Sequence, residues 1–414
     1  MLNKIKVLPL AIKQYLVITA NYWAFTLTDG ALRMLVLLYF YQLGYSPLAL
    51  AMLFLFYEFF GVITNLVGGW LGARIGLNKT MNAGLCIQVF ALLMLAVPGE
   101  YLSVVYIMLA QALSGIAKDL NKMSAKSTIK LLVAQLSVDG CQDALQGKLF
   151  KWVALLTGSK NTLKGIGFFL GGFLLTYLGF QGAMLLMASV LMFVALLSVL
   201  LLKTELGKAK YTPKFSQIFS THASLNYLSA ARLCLFAARD VWFVVALPVY
   251  LASQLGWSHQ GIGAFFALWI MLYGLVQIYA PLLFRQKVAS EVNGKLTGVW
   301  SGILALVTLL LLVSLLTEIE TEIVLISGLF SFGVVFAVNS SLHSYLIIDI
   351  AKEDGVSMDV GFYYMANALG RLLGTLLSGF LYQYFIDSGQ GLVACILMSV
   401  ILLLVATFFV RRVN

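Results

Sequence analysis

"KTELGKAKYTPKFSQIFSTHAS", Lys203 to Ser224, is a polar connection set between long apolar runs, and its position in the chain decides the fold. Six apolar runs precede it and six follow, each near the roughly 20 residues that a helix needs to cross a bilayer. They are residues 15–44, 47–72, 80–98, 101–121, 150–178 and 181–202, then 225–255, 260–284, 296–317, 322–346, 360–386 and 389–410. A short echo ties the two sets together. "QLGYS" (Gln42 to Ser46) closes the first run and "QLGWS" (Gln254 to Ser258) closes the seventh, as repeats would. The expectation is an all-α integral membrane protein with an N-terminal six-helix bundle over residues 1–202, a linker over 203–224 and a C-terminal bundle over 225–414. Two such bundles around a midplane site are the architecture of many secondary transporters.

Composition narrows the class further. The chain is 61% hydrophobic and 11% charged, against about 25% charged in an ordinary soluble domain. Almost nothing between the apolar runs has the means to build an aqueous core. Met1 to Lys13 is short and basic and lacks a small-residue cleavage site, so the first helix is expected to stay attached. A net charge of +10 would suit a nucleic-acid binder, but its carriers sit in alternate loops. Lys4, Lys6 and Lys13, Arg74 and Lys79, Lys122 to Lys151, Lys203 to Lys214, Arg285, Lys287 and Lys295, and Arg411 and Arg412 fall on one side of the twelve spans. The intervening loops, such as Pro98-Gly99-Glu100 and Gly179-Phe180-Gln181, hold no Lys or Arg. This is the positive-inside pattern, which predicts a multi-pass protein of the inner membrane with both termini cytoplasmic and leaves no case for nucleic acid. Cys86, Cys141, Cys234 and Cys395 are isolated in sequence and read as small apolar residues, so neither a metal cluster nor a cofactor site is indicated.

A few charges lie where a charge is costly, at least about 2.5–3.5 kcal/mol at the centre of a bilayer. Counting back from the ends of their spans at 1.5 Å per residue puts Arg33, Lys164, Arg239 and Arg371 roughly 18–26 Å along their helices, near the midplane. Asp29 and Asp240 sit at almost the same level, and Glu58 adds a third buried acid in the second span. Asp29 and Arg33, spaced i,i+4, are expected to pair directly, whereas Asp240 adjoins Arg239 and is expected to point elsewhere on its helix. Cations outnumber acids, and Lys160 adds to the excess one turn nearer the cytoplasm, so the natural filler is an anion. Asn161, Asn339, Ser340, Ser341, His343 and Asn367 offer neutral hydrogen bonds around the same space.

Plainer readings stand beside these. Arg232 reads as a snorkelling anchor, and Lys118, Lys122, Lys126 and Lys130 as topology signals at a helix end with Asp119 as their counter-ion. His343 reads either as a packed, hydrogen-bonded residue or as a proton carrier alongside Asp29, Glu58 and Asp240. "LTGSKNTLKGIGFFLGG" (Leu156 to Gly172) fails as a phosphate loop, since Leu163 and Gly165 occupy the glycine and hydroxyl positions. Its glycines suit close helix packing instead.

The loop "GWLGARIGLNK" (Gly69 to Lys79) resembles the signature that follows the second helix in the major facilitator superfamily. It keeps Gly69, Leu71, Arg74, Gly76 and Lys79, with Ala73 in place of the usual Asp. "QALSG" puts Gln111 where the fourth-helix Arg would stand, and Gly158, Gly167 and Gly171 match part of the fifth-helix glycine pattern of antiporters. The resemblance implies twelve transmembrane helices in two six-helix bundles, with helices one, five, seven and eleven lining a central cavity where the four deep cations would converge.

Longer segments are similar to one branch, the ArsJ-type organoarsenical efflux permeases: "NYWAFTLTDGALRMLVLL" (Asn21 to Leu38), "LSGIAKDLNKMSAKS" (Leu113 to Ser127), "FKWVALLTGSKNTLKGIGFFLGG" (Phe150 to Gly172) and "AARDVWFVV" (Ala237 to Val245). That likeness implies export of 1-arseno-3-phosphoglycerate, made when glyceraldehyde-3-phosphate dehydrogenase uses arsenate in place of phosphate. The dehydrogenase would be a functional partner. On this reading Arg33, Lys164, Arg239 and Arg371 hold the anionic ends, Lys160 attracts substrate, and Asn161 and Asn367 assist. Scattered cysteines argue against trivalent arsenic, which favours clustered soft thiolates. An organophosphate or organic-anion exchanger and a proton-coupled drug exporter are the alternatives; no nucleophile–base pair or signalling domain argues for an enzyme or a sensor.

Overall fold

The computed structural model describes residues 10–45, 53–135, 142–202, 220, 222–257, 259–283, 292–317, 321–352, 356–385 and 388–413. Most of the Lys203 to Ser224 linker, and Cys141, lie outside them. The described residues contain no strand. In the first half the helices are α1 (Leu10–Gln42), α2 (Leu55–Ile75), α3 (Leu77–Leu95) and α4 (Val104–Gln135). The helical stretch Gln142–Leu201 breaks at Gly179 (φ 67°) into α5 (142–178) and α6 (180–201). In the second half α7 comes in two pieces, Ala223–Phe243 and Ala246–Ser253, followed by α8 (His259–Leu283), α9 (Gly294–Leu315), α10 (Thr321–Ile350), α11 (Val356–Tyr384) and α12 (Gly391–Val410).

Local chemistry explains the breaks. The left-handed backbone at Gly179 is open to glycine and strained for other residues, and it reverses the chain. Tyr15 packs on Trp152, and Trp23 donates to Ser159, so α5 runs parallel to α1. Tyr39 stacks on Phe180 while Asn21 donates to Ser198, so α6 returns antiparallel. In α7 the ring of Pro248 and its missing N–H break the ladder at Val244. The freed N–H of Ala246 donates to Ser378 Oγ of α11 at 3.1 Å.

Seven stretches are long and apolar enough to cross a membrane on length and composition alone, and one of them, Leu149–Leu201, holds both α5 and α6. Helices α2, α3, α4 and α11 fall short of that standard; α2, α4 and α11 carry Glu58, the lysines from 118 to 130, and Arg371. Large apolar side chains such as Leu200, Leu282, Phe193 and Phe380 stand 62–75% exposed, a surface made for lipid.

Three apolar clusters show how the halves meet. One draws on both halves, from Tyr22, Met123 and Phe150 to Leu342, Tyr345 and Tyr363. The other two each belong to one half: Phe25 to Ala195 in the first, Cys234 to Ala406 in the second. The shared cluster lies toward the loops that carry the Lys and Arg residues, the basic side. There α2 lies against α11, with Ser357 Oγ donating to Gly69 O at 2.8 Å, and α5 meets α8, with Asn161 donating to Gln277 at 2.5 Å. Lys130 on α4 donates to the carbonyls of Asp349 (3.0 Å) and Ala351 at the end of α10. The halves are therefore sealed on the basic side and packed as separate cores on the other.

The seam needs Gly69, because a Cβ there would come within 3.0 Å of the Gly361 Cα. Gly69→Val is expected to part α2 from α11, raising severalfold the alkylation of a Ser357→Cys reporter by a polar maleimide supplied to the basic side of vesicles. Unchanged labelling would mean that the seam does not close this face.

Candidate functional site

Where the shared core gives way to the separate ones, a row of charges crosses the molecule. Arg33 Nη2 on α1 donates to Glu58 Oε1 on α2 at 2.9 Å. Arg371 Nη2 on α11 reaches the same oxygen from the opposite half at 2.5 Å, and its Nε lies 3.4 Å from Asp240 Oδ2 on α7. Arg239 closes the row on Asp240 Oδ1, through Nη2 at 2.5 Å and Nε at 2.6 Å. From α4, Lys118 sits 4.0 Å from Glu58 Oε2 and 3.5 Å from Asp119, which also takes Lys122 at 2.5 Å. The arginines keep 15–22% of their side-chain surface exposed deep inside the fold, so they face space at the foot of the cleft between the separate cores.

Two pairings differ from the sequence expectation. Asp29 does not take Arg33; it accepts the Tyr57 hydroxyl at 2.6 Å, and the Arg33 guanidinium lies over the Tyr57 ring at 4.1 Å on its way to Glu58. One helical turn allowed the pair, but Glu58 on the neighbouring helix offers a free oxygen and the aromatic face holds the guanidinium on that side. Asp240 does not point away from Arg239 either. The arginine folds back onto it, leaving Asp240 1% exposed between two guanidinium groups.

Lys164 and Lys160 on α5 have no carboxylate within ion-pair range among the described residues. Lys164 has the Phe168 ring at 5.9 Å and lies in the electrostatic field of Arg33, Asp29, Arg371 and Lys160. Lys160 lies in that of Lys122, Arg371, Lys118 and Asp29. The buried Nε of Arg33 has no hydrogen-bond partner among the described residues. Arg33, Lys164, Arg239 and Arg371 thus share one layer, with spare donors left over after the acids are paired.

Other predicted residues are engaged differently. Asn161 is held by Gln277, which in turn donates to Tyr273, so it joins α5 to α8. Asn367 accepts from Arg232 Nε at 2.8 Å, and Arg232 Nη1 reaches Ser340 Oγ at 3.2 Å. The snorkelling reading of Arg232 is overturned: it is 3% exposed, because it turns inward onto Asn367 of α11 and Ser340 of α10. The lysines of α4 do not mark a helix end, since the helix continues to Gln135, and Lys122 and Lys126 are 7% and 3% exposed. Asp119 is a counter-ion for Lys118 and Lys122, as expected. His343 is fully buried and packed, yet neither ring nitrogen has a hydrogen-bond partner among the described residues. Sequence reasoning missed Tyr57, Gln277 and Tyr364; nothing in their spacing sets them apart from core residues.

Cys86, Cys234 and Cys395 are free thiols on three different helices. Among the described residues no group of His, Cys, Asp and Glu is arranged to hold a metal ion.

Comparison with known proteins adds the following. The sequence matches the Major Facilitator Superfamily over residues 15–342 and 228–414. Among curated proteins no sequence match is found. The fold is similar to that of the human organic anion transporter MFSD10 (TETRAN), with a TM-score of 0.74 at 16% identity, covering 97% of this chain and 100% of that one. It is also similar to a bacterial homologue of the iron transporter ferroportin in its outward-facing state, with a TM-score of 0.72 at 13% identity, covering 98% and 99%.

The charge row carries its own test. Glu58→Gln removes the acceptor shared by Arg33 and Arg371 and is expected to cost about 3–5 kcal/mol of stability. Adding Arg371→Gln should recover part of that loss, because one stranded cation disappears. Melting transitions of the purified protein in detergent, arranged as a double-mutant cycle, measure it; strictly additive losses would mean that the two groups do not interact.

Proposed function

The chain belongs to the major facilitator superfamily, and from that premise we propose that it exports an organic polyanion by alternating access, with 1-arseno-3-phosphoglycerate as the substrate. The observation that carries the reading is the pair Lys160 and Lys164, left without carboxylate partners beside a layer of three arginines. An anion supplies the missing charge. The guanidinium forks of Arg33, Arg239 and Arg371 suit phosphate or arsenate oxygens, and the lysines act as movable point charges. A fold relative that is by name an organic anion transporter supports the same substrate class.

Export is the direction that the likeness to the organoarsenical permeases implies, and the loop charges are consistent with it. With the basic loops in the cytoplasm of a cell whose inner membrane holds the protein, the sealed face is cytoplasmic and the cleft opens outward, the state that releases an exported ligand. Asp29, Glu58 and Asp240 balance the arginines while the site is empty, and a ligand oxyanion competes with them for the same donors. Coupling to an ion would run through these carboxylates; His343, sealed away from the charge row, fits that role less well than a packing one. Glyceraldehyde-3-phosphate dehydrogenase is the functional partner, since it makes the arsenylated ester, and the outcome is arsenate resistance. Dispersed single thiols fit an oxyanion cargo better than trivalent arsenic.

Inside-out vesicles supplied with glyceraldehyde 3-phosphate, NAD, the dehydrogenase and arsenate should accumulate arsenic in their lumen, and only when both arsenate and active enzyme are present. No accumulation by folded protein, with the ester shown to form, would overturn this substrate, and strong competition by phosphoglycerate would favour the organophosphate exchanger. In the same assay Arg239→Ala and Arg371→Ala should each lower uptake by about two orders of magnitude, the scale of one buried charged contact. Lysine replacements should recover little if bidentate geometry matters. Normal uptake by both alanine variants would remove the proposed site.

A further inference from the structure

A second group of cations lies below the arginine layer, inside the core that both halves share. Lys126 is 3% exposed and has neither an ion pair nor a hydrogen bond among the described residues; its ammonium lies 5.0 Å from the centre of the Tyr364 ring. Lys122 faces the same ring at 4.7 Å and shares its one carboxylate, Asp119, with Lys118. Arg232 arrives from the other half, bound only to the neutral groups of Asn367 and Ser340, and its field and that of Lys160 both act on Lys126. The Tyr363 ring packs edge-on to Tyr364 and lies 5.4 Å from the Arg232 guanidinium, and its buried hydroxyl has no hydrogen-bond partner among the described residues. A buried ammonium that lacks an acid is among the costliest groups a fold can hold. Three of these cations come from α4 and α5 and one from α7, so the group closes and opens with the seam between the halves.

We infer that Lys122, Lys126, Lys160 and Arg232, with the Tyr363 hydroxyl, form a second anion subsite on the cytoplasmic side of the arginine layer. It receives one charged end of a short-chain ligand whose other end lies against Arg33 and Arg371. The inference rests on the anion-export reading above and gives the second charged end of that ligand a place of its own, below the arginine layer. Helix geometry sets the span. Lys160 stands one turn below Lys164, and Lys126 two turns below Lys118, or roughly 6–12 Å along the axis. A phosphorylated three-carbon acid has its charged groups near the lower end of that range; a ligand with one charged end fills only one subsite.

The test uses purified full-length protein in detergent and two stable probes, 3-phosphoglycerate with two charged ends and glycerol 3-phosphate with one, titrated calorimetrically. The unsubstituted chain should bind 3-phosphoglycerate more tightly. Lys126→Gln should weaken 3-phosphoglycerate about tenfold or more, the scale of one charge-assisted hydrogen bond, while glycerol 3-phosphate binding stays as it was and Lys126→Arg restores the difference. Arg371→Gln should weaken both. Without ligand, Lys126→Gln should also melt at a higher temperature, because an unpaired buried charge is gone; a lower one would mark Lys126 as a structural residue and overturn the subsite. Equal losses for both probes, or none, would overturn it too while leaving the arginine site standing. Failure of the unsubstituted chain to bind either probe would overturn the anion reading itself.

Discussion

Glu58 accepts from Arg33 within its own half and from Arg371 across the divide, and the rest of the arrangement depends on that shared oxygen. Arg33 has no other carboxylate in ion-pair range among the described residues, since Asp29 is occupied by Tyr57 and Asp119 by the lysines of α4, and Arg371 has no other in the first half. Asp240 plays the corresponding part in the second half, held between Arg239 and Arg371. Arg371 is therefore the hinge of the network, bound to one acid in each half. A ligand that offers oxyanion oxygens to Arg371 competes with both acids at once, and so acts on the contact that joins the halves.

Close backbone approach is what lets such a network form at all. Gly30 on α1 lies against Gly167 on α5, and Gly370 and Gly374 on α11 lie against Leu233 and Ala237 on α7. Each half thus presents a parallel pair, its first helix beside its fifth, and each pair delivers its charges to the same level. Between halves, Gly69 on Gly361 and Gly158 on Gly274 repeat the device at the seam. Lipid gives helices no hydrophobic reason to associate with one another, so contact area won through missing side chains does that work here.

The sequence made the scaffold legible and left much of the site hidden, for physical reasons. Apolar run length and the one-sided placement of Lys and Arg respond to the bilayer itself, so twelve helices and their charged level could be counted. The "QLGYS" and "QLGWS" echo has a concrete cause: Gly44 (φ 86°) and Gly256 (φ 66°) end α1 and α7 in the left-handed conformation. Pairing was another matter. An i,i+4 spacing allowed Asp29 and Arg33 to meet but carried no information about Glu58 on the next helix. The four-residue spacing of Lys118, Lys122 and Lys126 put them on one face, yet a basic face at the end of a span and a basic face turned into the protein share one pattern. Only the continuation of α4 to Gln135, against the second half, separates the two. Arg232 was misplaced for the same reason, since a cation near the start of a span reads alike whether it turns out to the headgroups or inward onto Asn367 and Ser340.

On the export reading, the surplus charge explains why closure of the cytoplasmic seam should follow binding. Sealing that face without a ligand buries Lys126 and brings Lys122, Lys160 and Arg232 near one another, with Asp119 already committed to Lys118 and Lys122. An anion seated among them offsets that repulsion in the sealed state far more than in an open one, where water already screens the same charges. The ligand therefore has a differential affinity for the two states, which is the requirement for it to shift their balance. Once the cleft has opened outward, water reaches the arginine layer, and Glu58 and Asp240 stand ready to take back the donors that the ligand leaves.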